Sequence, residues 1–139
     1  KTEFFPEIER GLGQKPLEIY RGKVDFIAVL QSESDVKNLD PNFSEIAKLK
    51  SRGLIVTAKG DKVDFVSRFF APQCGVDEDP VTGSAHTSLT PLWAAKLNKN
   101  ELSALQLSKR GGTLYCCAKG ERTLIGGHSK LYLEGWIDV

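Results

Sequence analysis

Hydrophobic residues in the first half of the chain recur at the spacings of short helices and of strands. The segment from Glu3 to Gly13 predicts a helix, because Pro6 can occupy a first helical turn and the glycines end it. Strands are predicted at about 17–21 and 24–30. The second is so continuously apolar that we expect it in the middle of a sheet. The same criteria predict helical segments at 34–39 and 42–50 and strands at 54–58 and 63–70.

One apolar helix dominates the second half of the chain. From Ser84 to about Leu97, apolar side chains cover most of the helical circumference, so we expect this helix to be buried on several sides. Strands are predicted around it at 104–108, 113–118, 123–125 and 129–137. The pattern predicts an α+β fold in which a sheet or barrel wraps around a central apolar helix at about 84–97.

The candidate chemistry lies between the strand at 63–70 and this helix. Residues 77–85 read Asp-Glu-Asp-Pro-Val-Thr-Gly-Ser-Ala. A helix leaves the backbone N–H groups of its first turn unpaired, and small residues there allow an anion to approach them. Asp79 would then face the molecule that carries the anion. The alternative is structural: Thr82 or Ser84 caps the helix and the acids form a solvated loop.

Composition excludes several classes of protein. The 139 residues suit one domain, and the 19 basic and 18 acidic side chains give no electrostatic footprint for nucleic acid or an anionic membrane. Three cysteines, two of them adjacent, provide neither a disulfide framework nor the spacing of a metal site. We therefore expect no metal, no membrane span and a reducing, cytoplasmic location.

Several motifs together resemble the phenazine-biosynthesis (PhzF-like) isomerase and epimerase family. They are Arg-Phe-Phe-Ala-Pro at 68–72, Gly-Val at 75–76, and Glu-Asp-Pro-Val-Thr-Gly-Ser-Ala-His at 78–86. The resemblance continues through Leu89, Pro91 and Trp93, through 106–112, and back to 53–58. It is strongest to the branch that contains the MAWD-binding protein, and it covers nearly the whole chain.

The resemblance implies a fold, a domain organisation and a reaction. The fold would be one half of a diaminopimelate-epimerase-like fold, with residues 1–139 as the C-terminal half of a two-domain protein whose N-terminal half is absent. The activity would be a cofactor-independent isomerase or epimerase that moves a proton on a small carboxylated substrate in the cleft between the halves. The proton-shuttling glutamate would belong to the N-terminal half, so this chain alone should be inactive.

The resemblance also assigns residues. Asp79 would be the catalytic-site carboxylate that orients the substrate, and Gly83, Ser84, Ala85 and His86 would bind it. Glu78 is an alternative to Asp79, and His86 could instead bond to a neighbouring loop. A homodimer is plausible if the absent half leaves an apolar face uncovered.

Other residues and functions are alternatives to that assignment. Cys74 is expected to be a buried small residue rather than a thiol catalyst. His128 is expected to be structural, and Arg68 to pair with Asp77 or Glu78 or else lie exposed. The competing function is a non-catalytic binding or scaffold protein of the same fold.

Overall fold

The computed structural model describes residues 1–138. In chain order the elements are helix α1 (Pro6–Leu12), strands β1 (Glu18–Arg21) and β2 (Asp25–Val29), helices α2 (Glu33–Lys37) and α3 (Phe43–Ile46), strands β3 (Gly53–Lys59) and β4 (Phe65–Ala71), a 3₁₀ turn (Pro72–Cys74), strand β5 (Val76–Glu78), helix α4 (Gly83–Leu97), and strands β6 (Glu101–Gln106), β7 (Gly112–Lys119) and β8 (Arg122–Gly126).

The strands form one mixed sheet in the order β1-β2-β3-β4-β6-β7-β8, and β5 pairs with β4 off this path. The β2–β3 and β4–β6 pairs are parallel and the others are antiparallel. Strand β2 lies between β1 and β3, which confirms that this apolar strand is internal. Strand β4 pairs with β6 near its start and with β5 at its end. The chain therefore leaves the sheet toward α4 near the end of β4, where β5 replaces β6 as the paired strand.

The two faces of the sheet bury separate hydrophobic clusters, because successive side chains of a strand point to opposite faces. Helices α1, α2 and α3 cover one face; their buried apolar side chains are Ile8, Leu12, Val36 and Ile46. Helix α4 covers the other face and packs Ala85, Leu89 and Trp93 against residues of β3, β4, β6 and β7. The first turn of α4 is thus held against one end of the sheet.

The prediction of an α+β fold is confirmed, but the expected burial of the 84–97 helix on several sides is wrong. Its buried positions are 85, 86, 89, 90 and 93, which share one face. Thr87, Pro91 and Ala95, on the opposite face, are exposed. The helix has an apolar circumference, but the described sheet covers only one side of it. That the sheet wraps around the helix stays a prediction.

The strand predicted at 129–137 does not form. These residues have no regular secondary structure and pair with no strand within residues 1–138. Their large apolar side chains are almost fully exposed, with Leu131 at 78%, Tyr132 at 97% and Trp136 at 99%. We call residues 129–138 the terminal segment. Its sequence has strand character, but no neighbouring strand supplies the hydrogen bonds that a strand requires.

Smaller differences concern element lengths. The helix expected over 42–50 is limited to Phe43–Ile46, and β6 begins at Glu101 rather than at residue 104. Among the described residues, no helix combines the length and the apolar composition that crossing a bilayer requires. The cytoplasmic location stays a prediction.

Candidate functional site

A half-buried arginine fixes the acidic segment that leads to α4. The Arg68 guanidinium forms two hydrogen bonds with the Glu78 carboxylate, from Nε to Oε1 at 2.7 Å and from Nη2 to Oε2 at 3.0 Å. Its Nη1 donates to the Leu39 carbonyl oxygen at 2.8 Å. The predicted bracing of this segment is therefore confirmed with Glu78 as the partner. Both oxygens of Glu78 are occupied, so Glu78 is less available to a ligand than Asp79.

Asp79 is half-buried and held by neighbours on two sides. Its backbone N–H donates to the Phe69 carbonyl oxygen at 3.0 Å, which continues the pairing of β5 with β4. Its Oδ2 accepts a hydrogen bond from the Thr82 hydroxyl at 2.6 Å. The Thr82 hydroxyl is thus directed at the carboxylate rather than at the first turn of α4.

The first turn of α4 is open. Within residues 1–138, no side chain caps it: Thr82 occupies the N-cap position, but its side chain accepts no hydrogen bond from the helical N–H groups, and no acidic residue lies in the first turn. Gly83 and Ser84 are exposed, whereas the Ala85 side chain is buried. The alternative that Thr82 or Ser84 caps this helix is therefore wrong. The positive end of the helix faces solvent beside Asp79.

Packing does not explain the glycine at the first helical position. A Cβ atom added to Gly83 would meet no other atom within 4 Å. By contrast, a Cβ added to Gly112 would clash with Cγ2 of Val81. Gly112 is thus required by close contact between β7 and the loop before α4. Gly83 instead leaves space at the helix terminus that a ligand could occupy.

The Gln106 side chain ties this loop to the sheet. Gln106, at the end of β6, is 1% exposed. Its Oε1 accepts from the Thr82 backbone N–H at 2.8 Å, and its Nε2 donates to the Asp79 carbonyl oxygen at 2.7 Å and to the Thr82 hydroxyl oxygen at 3.1 Å. Ser108 adds a further bond, from its hydroxyl to the Pro80 carbonyl oxygen at 2.7 Å.

His86 points into the protein rather than toward the open helix terminus. Its Nδ1 lies 2.8 Å from the Thr82 carbonyl oxygen, its ring lies against Phe65, and the residue is 0% exposed. Burial lowers the pKa of the His86 imidazole, and the bond to Thr82 partly opposes that effect. Of the two alternatives for His86, the structure contains the bond to a neighbouring loop. Its role in substrate binding stays a prediction.

The remaining candidates make no hydrogen bond to Asp79 or to the first turn of α4 within residues 1–138. Cys74 was expected to be buried and is exposed, because it ends the 3₁₀ turn that carries the chain off β4. His128 is exposed beside Tyr115. Cys116 is buried under α4, and burial raises the pKa of its thiol, which disfavours the reactive thiolate.

Sequence reasoning missed Gln106 and Ser108 as parts of the site. Both belong to a run that carries the family resemblance, but nothing local indicates that their side chains reach the loop some 24 to 28 residues earlier. The parallel pairing of β4 with β6 brings them together, and that pairing is not readable from the chain.

A family model described as "Phenazine biosynthesis-like protein" matches residues 5–135. An uncharacterized isomerase of Pseudomonas aeruginosa is 51% identical over 131 residues, which cover 94% of this chain and 50% of that protein. The mouse phenazine biosynthesis-like domain-containing protein 1 is 47% identical over 93 residues, which cover 62% of this chain and 32% of that protein.

Two solved structures share the fold. A phenazine biosynthesis PhzF family protein of Enterococcus faecalis matches with a TM-score of 0.90 at 47% identity, over 95% of this chain and 51% of that one. A PhzC/PhzF protein of Clostridium difficile matches with a TM-score of 0.86 at 40% identity, over 99% of this chain and 53% of that one. The chain thus spans about half the length of these relatives.

Proposed function

The chain belongs to the phenazine biosynthesis-like protein family, and on that premise we propose that it supplies the carboxylate-binding half of an isomerase active site. The observation that carries the proposal is the uncapped first turn of α4 beside the Asp79 carboxylate. Unpaired helical N–H groups and the positive end of the helix dipole favour an anion. The curated relative from Pseudomonas aeruginosa bears the name isomerase.

Each residue of the site takes a distinct role in this proposal. The backbone N–H groups of Gly83, Ser84 and Ala85 bind the substrate carboxylate, and the Ser84 hydroxyl adds a donor. Asp79 uses its Oδ1 atom to accept a hydrogen bond from a second polar group of the substrate. His86 acts indirectly, because its hydrogen bond to the Thr82 carbonyl oxygen holds the N-cap residue in place.

The reaction itself requires a second half. The family resemblance implies a proton-shuttling glutamate in an N-terminal half, and we propose that such a half closes over the open terminus of α4. A positioned acid and base contributes roughly 10²- to 10⁴-fold to a proton transfer. This chain alone would bind a small carboxylate without turning it over, and it would need no cofactor.

The test is solvent-deuterium incorporation into a panel of small carboxylates, catalysed by the longer polypeptide that joins this chain to its N-terminal half. Asp79→Asn should remove most of the incorporation, because the neutral amide cannot accept a charge-assisted hydrogen bond from the substrate. Asp77→Asn is the matched control, because Asp77 is an exposed carboxylate two residues away. Incorporation that survives in Asp79→Asn at the unchanged rate would overturn the assignment of Asp79.

A second candidate function is protein binding without catalysis. The terminal segment favours it, since Leu131, Tyr132 and Trp136 are almost fully exposed and could pair with another protein or with a second copy of the chain. The same deuterium-incorporation assay distinguishes the two functions. A binding protein would bind its partner and incorporate no deuterium into any carboxylate.

A further inference from the structure

We infer that Gln106 is a positioning residue for the Asp79 carboxylate and that it acts through the Thr82 hydroxyl. The inference deepens the proposed function and rests on it. It follows from three side chains that form one hydrogen-bonded chain, from Gln106 to Thr82 to Asp79. Gln106 is 1% exposed and Thr82 is 6% exposed, so water competes little for these bonds.

Chemistry fixes the orientation of the Gln106 amide. A backbone N–H can only donate, so the atom that faces the Thr82 N–H must be Oε1. The Nε2 group therefore faces the Asp79 carbonyl oxygen and the Thr82 hydroxyl oxygen, and its two hydrogens match these two acceptors. The reversed amide would set two donors against each other and two acceptors against each other.

This orientation also sets the direction of the Thr82 hydroxyl. The Thr82 oxygen accepts a hydrogen from Gln106, and its own single hydrogen lies on the 2.6 Å contact to Oδ2 of Asp79. A hydrogen bond to a carboxylate is stronger than one between neutral groups. One oxygen of Asp79 is thereby engaged, and Oδ1 remains for a hydrogen-bond donor of the substrate.

The substitution Gln106→Glu would reverse this direction. The carboxylate that it introduces could accept from the Thr82 N–H, but it could not donate to the Asp79 carbonyl oxygen or to the Thr82 oxygen. The Thr82 hydroxyl would then turn toward the new carboxylate and leave Asp79. Gln106→Glu and Thr82→Val should consequently have the same effect on Asp79 through different atoms, whereas Thr82→Ser keeps the hydroxyl.

The test compares two probes, acetate and lactate, by the shifts that they cause at the Gly83 and Ser84 amides in ¹⁵N NMR titrations of this chain. Both probes carry a carboxylate, and only lactate also carries a neighbouring hydroxyl donor for Asp79. We expect lactate to bind more tightly than acetate. This preference should fall by about three- to tenfold in Thr82→Val and in Gln106→Glu. It should persist in Thr82→Ser and in the control Thr123→Val, which removes a hydroxyl from β8.

The outcomes separate the inference from the proposed function. Suppose that both probes shift the Gly83 and Ser84 amides. A lactate preference that is absent, or that survives in Thr82→Val and Gln106→Glu, would then overturn the inference alone. If neither probe shifts the Gly83 and Ser84 amides, the proposed carboxylate site is overturned.

A measurement without ligand tests the same hydrogen-bonded chain. Double-mutant cycles on urea unfolding should show coupling between Asp79→Asn and Gln106→Met in the protein with Thr82. The coupling should fall when Thr82 is replaced by valine, because the hydroxyl links the two side chains, whereas the direct bond from Gln106 reaches only the backbone carbonyl of Asp79. Coupling that is unchanged in Thr82→Val would contradict a path through the hydroxyl, whatever the NMR titrations show.

Discussion

At the scale of single residues, His86 links the stability of the fold to pH. The imidazole is completely buried, and burial holds its pKa below the ordinary value of 6.5. The unfolded chain therefore binds a proton more readily than the folded chain. The stabilisation from neutral His86 is complete above pH 6.5 and is lost as the pH falls through the lowered folded pKa.

We predict that His86→Gln flattens the pH dependence of unfolding. Glutamine can keep the hydrogen bond to the Thr82 carbonyl oxygen but does not titrate. Urea denaturation between about pH 5 and pH 8 should show stability that falls with decreasing pH in the unchanged protein and falls less in the variant. His128→Gln, at the exposed histidine, is the control and should keep the original slope. An equal slope in His86→Gln would show that His86 does not titrate on unfolding.

Gly83 gives a second prediction at this scale. Because an added Cβ meets nothing within 4 Å, Gly83→Ala should not destabilise the fold. It should raise the free energy of unfolding by about 0.5–1 kcal/mol, the usual difference between alanine and glycine in a helix. The same methyl group lies at the open helix terminus and should weaken acetate binding there. Denaturation and NMR titration of one variant test both effects, and a loss of stability would contradict the first.

Only some of the site residues could be predicted from the sequence. The run from Glu78 to His86 identified the loop and the helix terminus, because both features depend on residues that are adjacent in sequence. The direction of the His86 ring and the role of Gln106 depend on contacts between segments that are distant in sequence. A composition of small residues also does not reveal whether Thr82 caps the helix or bonds to Asp79.

At the scale of elements, the Arg68–Glu78 pair fixes β5 and the start of the loop. The Arg68 side chain is 11% exposed and that of Glu78 is 20% exposed, and Arg68 also donates to the Leu39 carbonyl oxygen that follows α2. This pair therefore connects β4 and β5 to the segment that follows α2. Removing one partner leaves the other charge largely desolvated.

We predict that Arg68→Met lowers the free energy of unfolding by about 1–3 kcal/mol, because the pair is partly buried and its hydrogen bonds involve charged groups. Methionine keeps much of the apolar stem but supplies none of the hydrogen bonds. Lys48→Met is the matched control, because Lys48 pairs with Glu45 on an exposed surface and its loss should change stability little. Equal effects of the two substitutions in urea denaturation would show that Arg68 contributes no more than a surface charge.

Element types followed from the hydrophobic pattern where an element packs within this chain. The internal position of β2 was predicted because the sequence there is continuously apolar, and all five of its residues are buried. The terminal segment was predicted as a strand for the same kind of reason, but it has no partner among residues 1–138. Side-chain pattern therefore indicates a capacity to form a strand, while the partner determines whether the strand forms.

At the scale of the whole molecule, the terminal segment carries large apolar side chains that the described residues leave uncovered. Leu131, Leu133 and Ile137 alternate with polar or aromatic positions, as in a strand with one apolar face. Trp136 is 99% exposed. A second copy of the chain, or the proposed N-terminal half, could cover this segment.

We predict that a chain ending at His128 keeps its stability and loses self-association. Thermal unfolding should be nearly unchanged, since the removed side chains are mostly exposed. Sedimentation analysis should show association of the longer chain with rising concentration and a monomer for the shorter one. Substituting serine for Leu131, Leu133 and Ile137 is the control that keeps the length. A large loss of stability in the shorter chain would show that the segment packs on this domain instead.

The proposed function requires that the open terminus of α4 bind a carboxylate. The decisive measurement is a ¹⁵N NMR titration of this chain with sodium acetate, with sodium chloride at equal ionic strength as the reference. We predict saturable shifts centred on the backbone amides of Gly83, Ser84 and Ala85 with acetate and not with chloride. Identical responses to the two salts, or acetate shifts centred elsewhere on the protein, would contradict a carboxylate site at this helix.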